Sequence, residues 1–187
     1  ARLSCYARGF KLVIQPAASS LRAERGLSRV ALSIGSPAMD LLKLVALDKE
    51  DLEIVSAHLQ DAVVKVGEIV WQPEDHRLVV GLNRFDWEAA SAEIPAWQRR
   101  RSALRFDRVL SFKSRNVTPA DKDKVLNLLA VEFAETDAPA GTVTISFSGD
   151  VALRIDVECI ESEVVDLGPV WATACCPDHE KSESEVA

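Results

Sequence analysis

The residues most able to do chemistry lie between 83 and 105. "NRFDWE" (83–88) places Arg84, Asp86 and Trp87 at the end of an extended stretch. Nine residues on from Glu88, Trp97 precedes the run Arg99-Arg100-Arg101, with Arg105 close behind. Guanidinium forks take phosphates and carboxylates in bidentate fashion, and aromatic faces stack on flat ligands. These seven residues (Arg84, Asp86, Trp87, Trp97, Arg99, Arg100 and Arg101) are the candidate binding set. Read blandly, the arginines pair with nearby acids on a strand surface, where each pair contributes little. Phe85 and Trp87 would then plug one end of a sheet.

Other groups carry less. His58 has Asp61 three residues on and Asp51 upstream, a spacing that shares a helix face. A catalytic base also needs a nucleophile or metal beside it, and the sequence names neither. "CCPDH" (175–179) has thiols and an imidazole that suit zinc, but adjacent cysteines span two tetrahedral corners poorly and no second pair is nearby. The chain contains no G-x-x-x-x-G-K-[ST], G-x-G-x-x-G, H-E-x-x-H or G-x-S-x-G. No metal or cofactor is therefore expected, and catalytic residues stay unassigned.

The elements that must position these residues follow from hydrophobic period. "LLKLVAL" (41–47) predicts a strand, and Asp48 an N-cap for a helix over 49–61. Leu52, Val55, Leu59 and Ala62 form its core stripe, with Ile54 facing outward. "VVKVGEIVW" and "RLVVGLN" predict a hairpin across "QPEDH". Asp86–Ala92 predicts a short helix stopped before Pro95. Residues 102–114 alternate as one strand with Arg108 out of phase, which predicts a bulge or an inward arginine. Residues 125–134 predict a central strand. "GTVTISF" and "VALRIDVEC" predict a hairpin with Val151, Leu153, Ile155, Val157 and Cys159 inward. Residues 160–168 predict a short helix closed by Gly168. The expected fold is α+β: about six strands in an antiparallel meander, curled into a half-open barrel of pleckstrin-homology-like kind.

Charge divides the chain. Residues 1–38 hold six basic side chains and one acid, net +5. The rest holds 16 of the 22 basic and 28 of the 29 acidic residues, net −12. With six serines and no apolar period, residues 1–38 read as a disordered or mis-assigned extension ahead of Met39. Residues 39–173 read as one globular domain and 174–187 as a flexible tail. A domain at −12 disfavours nucleic acid and anionic membranes. No apolar run is long enough to span a bilayer. Four scattered cysteines suggest a reducing cytoplasm.

"LKLVALDKEDLEIVSAHLQDAVVKVGEIVW", "LNRFDWE", "RRRSALRFDRV", "APAGTVTI" and "VECIESEVVDLGPVWAT" together resemble domain-of-unknown-function family 2948, small bacterial proteins, over about Leu41 to Thr173. The resemblance implies a start near Met39 and supplies no activity or site residue. Two readings of function follow. The first is a non-catalytic binding or adaptor module for a protein partner or for self-association, using an exposed edge or the Arg/Trp region. The alternative is a protein, possibly an enzyme, that binds a small anionic metabolite or nucleotide on Arg99–Arg101 between Trp87 and Trp97.

Overall fold

A computed structural model of the chain describes residues 41–174 and Pro177. The N-terminal extension, Met39 and the "CCPDH" thiols lie outside the described residues, as does most of the proposed tail.

Lys43–Ala46 is the first strand, β1. Asp48 ends it and starts a helix. Its carboxylate accepts the Asp51 N–H at 2.8 Å, satisfying one of the amides the first turn leaves unbonded. Helix α1 runs Lys49–Leu59, with Glu50 and Asp51 at the positive end of its dipole. Leu52, Val55 and Leu59 are buried, while Ile54 remains 53% exposed, as the period required. Burying each of the two leucines contributes about 2 kcal/mol. The helix stops two residues before the expected end because Gln60 leaves helical geometry and Asp61 takes φ 59°.

Eight strands follow: β2 Val63–Gln72, β3 Arg77–Phe85, β4 Gln98–Phe106, β5 Val109–Arg115, β6 Val125–Glu135, β7 Gly141–Phe147, β8 Val151–Val157 and β9 Ser162–Ala172. A four-residue helix, α2 (Trp87–Ala90), joins β3 to β4. All pairings are antiparallel, in the order β1-β9-β4-β3-β2-β6-β7-β8-β5, and the sheet does not close on itself. Strand β6 bends it. Val125–Asn127 pair with β2, and Leu128–Glu135 with β7 across a register shift. One face of both halves, covered in part by α1, forms the core: Leu78, Val80, Leu82, Leu104, Phe106, Leu126, Leu128, Val143, Ile145, Leu153, Ile155 and Val164 are almost wholly buried.

The α+β, open antiparallel architecture matches expectation, but four details do not. The strand expected over 102–114 is two. Arg108 takes φ 58°, so β4 ends at Phe106 and pairs with β3 and β9, while β5 pairs with β8. Arg108 itself points to solvent. The helix expected at 160–168 is instead strand β9, which runs past Trp171. There Ser162, Val164 and Asp166 point inward with period two. A buried acid disguised that period, and Gly168 (φ 101°) serves a strand irregularity rather than a helix end. These changes raise the number of strands from the seven segments expected to nine. Finally, Cys159 lies past the end of β8 and is only half-buried.

Gly141 gives a test of the packing. A Cβ built there would overlap the Phe133 ring and stand 2.6 Å from the Ala134 carbonyl oxygen. Gly141→Ala is expected to cost about 1–3 kcal/mol. The urea midpoint should fall with its slope unchanged; an unmoved midpoint would contradict this packing.

Candidate functional site

Strand β3 points Leu78, Val80 and Leu82 into the core, and the same alternation carries Arg84 in behind them, 1% exposed. Arg84 stands directly opposite Arg100 of β4. Two like charges facing each other across a ladder repel, so carboxylates must separate them. Asp166 of β9 supplies the first. Arg84 donates to it twice, Nε to Oδ1 at 2.9 Å and Nη2 to Oδ2 at 2.8 Å, a bidentate fork. Asp166 also accepts from the Ser102 hydroxyl at 2.6 Å and the Leu42 amide at 3.1 Å. Arg84 Nη1 turns the other way, to Glu88 Oε2 at 2.9 Å.

Asp86 neutralises the second arginine. Its carboxylate accepts from Arg100 Nε, from Gln98 Nε2 at 2.7 Å and from the Ala89 amide at 3.0 Å. The last of these caps α2. Glu88 carries the network on to α1, where His58 Nδ1 lies 3.0 Å from its Oε1. That contact lacks hydrogen-bond alignment. The network thus ties β1, β9, β4, β3 and both helices at one end of the core.

Titration follows from these contacts. Burial pushes the Asp166 carboxyl up, but hydrogen bonds from Arg84 and Ser102, the Arg84 charge and the Leu42 amide outweigh it and hold the group below the ordinary carboxylate range. Asp86 behaves alike: burial is outweighed by Arg100, the Ala89 amide and Gln98. Burial would also strip the proton from Arg84; Asp166 and Glu88 keep it more firmly protonated than usual. Carboxylates ionised this deeply make poor proton donors at neutral pH. The cluster acts as a fixed electrostatic tie.

The arginine run does not form one patch. Successive strand residues face opposite sides, so Arg100 enters the tie while Arg99 and Arg101 lie on the outer face. Arg99 Nη1 donates to the Asp61 and Asn83 carbonyls at 3.0 and 3.3 Å, and its guanidinium sits 6.0 Å from the Phe85 ring centroid. Arg101 Nη1 donates to Glu68 at 2.8 Å and to the Asn83 side chain at 3.2 Å. Trp87 packs edge-on against Phe85, centroids 4.7 Å apart. Trp97 is half-exposed ahead of β4, its carbonyl accepting the Thr173 amide. Of the seven candidates, Arg84, Asp86 and Arg100 converge, Arg99, Arg101 and Trp87 gather around Asn83 and Phe85, and Trp97 shares no ring contact with Trp87 among the described residues. His58 pairs with Glu88, not with Asp61. Among the described residues no cluster of His, Cys, Asp and Glu could hold a metal ion.

Sequence reasoning missed Asp166, Ser102 and Glu88. The signal for Asp166 was the alternation Ser162, Val164, Asp166, in which a polar residue occupies an inward position opposite another polar residue, Ser102.

The outer face of β2, β3, β4, β9 and β1 is built in rows. Val70, Val79, Arg105, Glu163 and Val45 stand side by side across the five strands; Ala103, Val165 and Lys43 form the next row, and Arg99 faces Trp171 beyond it. Val45, Val70, Leu167 and Trp171 are 40–51% exposed. Elsewhere, a groove of about 350 Å³ lies between α1 and β6, lined by Leu52, Ser56, Val131 and Phe133 among others. A second concavity of about 390 Å³ is walled by charges already in ion pairs, such as Arg77 and Arg105 with Asp107.

A family model described as "Protein of unknown function (DUF2948)" matches residues 42–179. No curated protein and no solved structure matches the chain.

Removing one partner of the buried pair leaves the other charge uncompensated. Asp166→Asn is expected to cost about 3–5 kcal/mol, whereas the double replacement Arg84→Met with Asp166→Leu should recover most of the loss. Because Asp86 and Asp166 titrate lower when folded than unfolded, their contribution is complete above about pH 4 and disappears as pH falls through the folded values. Urea titrations at pH 7 and pH 3 check both statements. The acid-induced drop should shrink in the double variant.

Proposed function

We propose that this chain, which belongs to the DUF2948 family of unknown function, is a non-catalytic binding module that docks a protein partner on the outer face of β2, β3, β4, β9 and β1. The observation that carries this is the register itself. It aligns the exposed side chains of Val45, Val70 and Trp171 with half-buried Val79, Ala103 and Val165 on one sheet face, and strand alternation adds exposed Leu167 to them. Exposed apolar surface grouped in this way is characteristic of interaction sites.

Charge indicates what kind of partner fits. The same face carries Lys43, Arg99, Arg101 and Arg105 against Glu68 and Glu163, an excess of cations on a chain whose net charge is −7. A partner with an apolar patch rimmed by carboxylates is complementary to it. The alternative, an anionic metabolite or nucleotide held by Arg99–Arg101, has less support. Each of those arginines already has a protein acceptor, and neither concavity includes them.

A photo-crosslinking residue placed at Val45 or Leu167 in cells is expected to yield a discrete adduct that the same residue at Leu110 on β5 does not. Leu167→Asp should abolish the Val45 adduct while changing stability by no more than about 0.5 kcal/mol, since position 167 is exposed. Equal adducts at Leu110, or an adduct that survives Leu167→Asp, would refute the assignment.

A further inference from the structure

Strand β6 leaves one edge open. In an antiparallel ladder a residue's N–H and C=O point to the same side, and successive residues point to opposite sides. The Val131 N–H donates to the Ser56 hydroxyl of α1 at 2.8 Å. Val131, Phe133 and Glu135 therefore turn their backbone groups away from β7 and toward the helix. Beyond Asn127, no strand lies along that edge among the described residues. Ser56 satisfies one amide; past it, the groove between α1 and β6 opens beside Phe133.

We propose that this groove takes an extended, basic segment of a partner protein, which adds to the outer edge of β6 as a further strand. An unpaired edge offers main-chain hydrogen bonds to any extended segment, and the side chains of β6 set which one. A residue directly across from Glu132 would have its Cβ about 5 Å away. The Glu132 and Glu135 carboxylates make no ion pair or hydrogen bond among the described residues, and Lys49 on the helix side is engaged with Glu53 at 4.0 Å. Lysine or arginine is favoured opposite Glu132; Glu135, three residues on, lies on the other face with Phe133. On the other face of the added strand, an apolar residue would extend the surface formed by Val131 and Phe133. A second copy of this chain fits poorly at the same edge, because β6 itself carries no lysine or arginine to set opposite Glu132. This inference is independent of the outer-face reading, since the two surfaces share no residue.

The probe is a fluorescein-labelled peptide alternating valine and lysine, Val-Lys-Val-Lys-Val-Lys, titrated with the full chain by fluorescence anisotropy. Binding is expected, with slower hydrogen exchange at the Phe133 and Glu135 amides. Glu132→Lys should weaken binding about three- to ten-fold, and a Val-Glu peptide should bind more weakly still. N-methylation of all valine amides or of all lysine amides blocks one edge of the added strand at a time, so one form should lose binding while the other keeps it. Absence of binding, equal binding of the Val-Glu peptide, or retention by both N-methylated forms would overturn the proposal. Unchanged exchange at Phe133 would do the same even if the peptide bound elsewhere.

Discussion

The bidentate pair between Arg84 and Asp166 is the constraint on which the rest of the arrangement turns. Both groups are charged and almost wholly buried, where desolvation opposes them more than Coulomb attraction alone rewards them. The pair persists because every neighbour was recruited to it. Ser102 and the Leu42 amide complete the carboxylate, Glu88 the guanidinium, and Asp86 removes the second cation, Arg100, from conflict with Arg84. An apolar filling of similar volume would be as stable or more so. What the ionic one supplies is discrimination between alignments of the strands it joins.

Discrimination matters here because β9 is an ambiguous strand. A one-residue slip would send Asp166 to solvent and Leu167 into the core. At positions 166 and 167 that exchange is attractive on hydrophobicity alone, although the same slip would expose Val164 and bury Glu163. Arg84 forbids it: with Asp166 gone, a fully buried guanidinium would lose its fork. The exposure of Leu167 and Trp171 on the outer face is thus a consequence of an interaction on the inner face. The irregularity between Arg100 and Ser102, opposite Gly168, lets the strand continue far enough to bring Trp171 beside Arg99.

Much of this was legible in the sequence. Asp48 as helix cap, the buried stripe Leu52-Val55-Leu59, the outward Ile54 and the hairpin around Gly149 follow from local rules, because the residues concerned contact their sequence neighbours or a featureless apolar core. Three of the candidate residues, Arg84, Asp86 and Arg100, meet in one network. What could not be read was long-range. Asp166 joins Arg84 across 82 residues, and nothing near Asp166 announces a buried cation to meet it. Without that partner, an inward aspartate looks like an error of period, and "IESEVVDLG" reads as a helix. Arg108 misled for the opposite reason. Its left-handed backbone separates two strands with different partners, but Leu104, Phe106, Leu110 and Phe112 keep one parity in the sequence even though Val109, not Leu110, is the buried residue.

The same sorting explains why three consecutive arginines do not converge on one point. A strand assigns neighbours to opposite faces, so a run of like charges is divided as soon as the segment pairs. Arg100 is consumed in the buried tie, and Arg99 and Arg101 are held by Asn83, Glu68 and the Asp61 carbonyl. A loop or a helix N-terminus could have converged the three on one ligand; a β-strand edge-paired on both sides, with β3 and β9, cannot. What remains available on this protein is therefore surface of another kind: apolar side chains in register on one face, and unpaired backbone along β6. Both offer room for macromolecular contact, and on the first of them the buried ion pair between β3 and β9 fixes which residues face out.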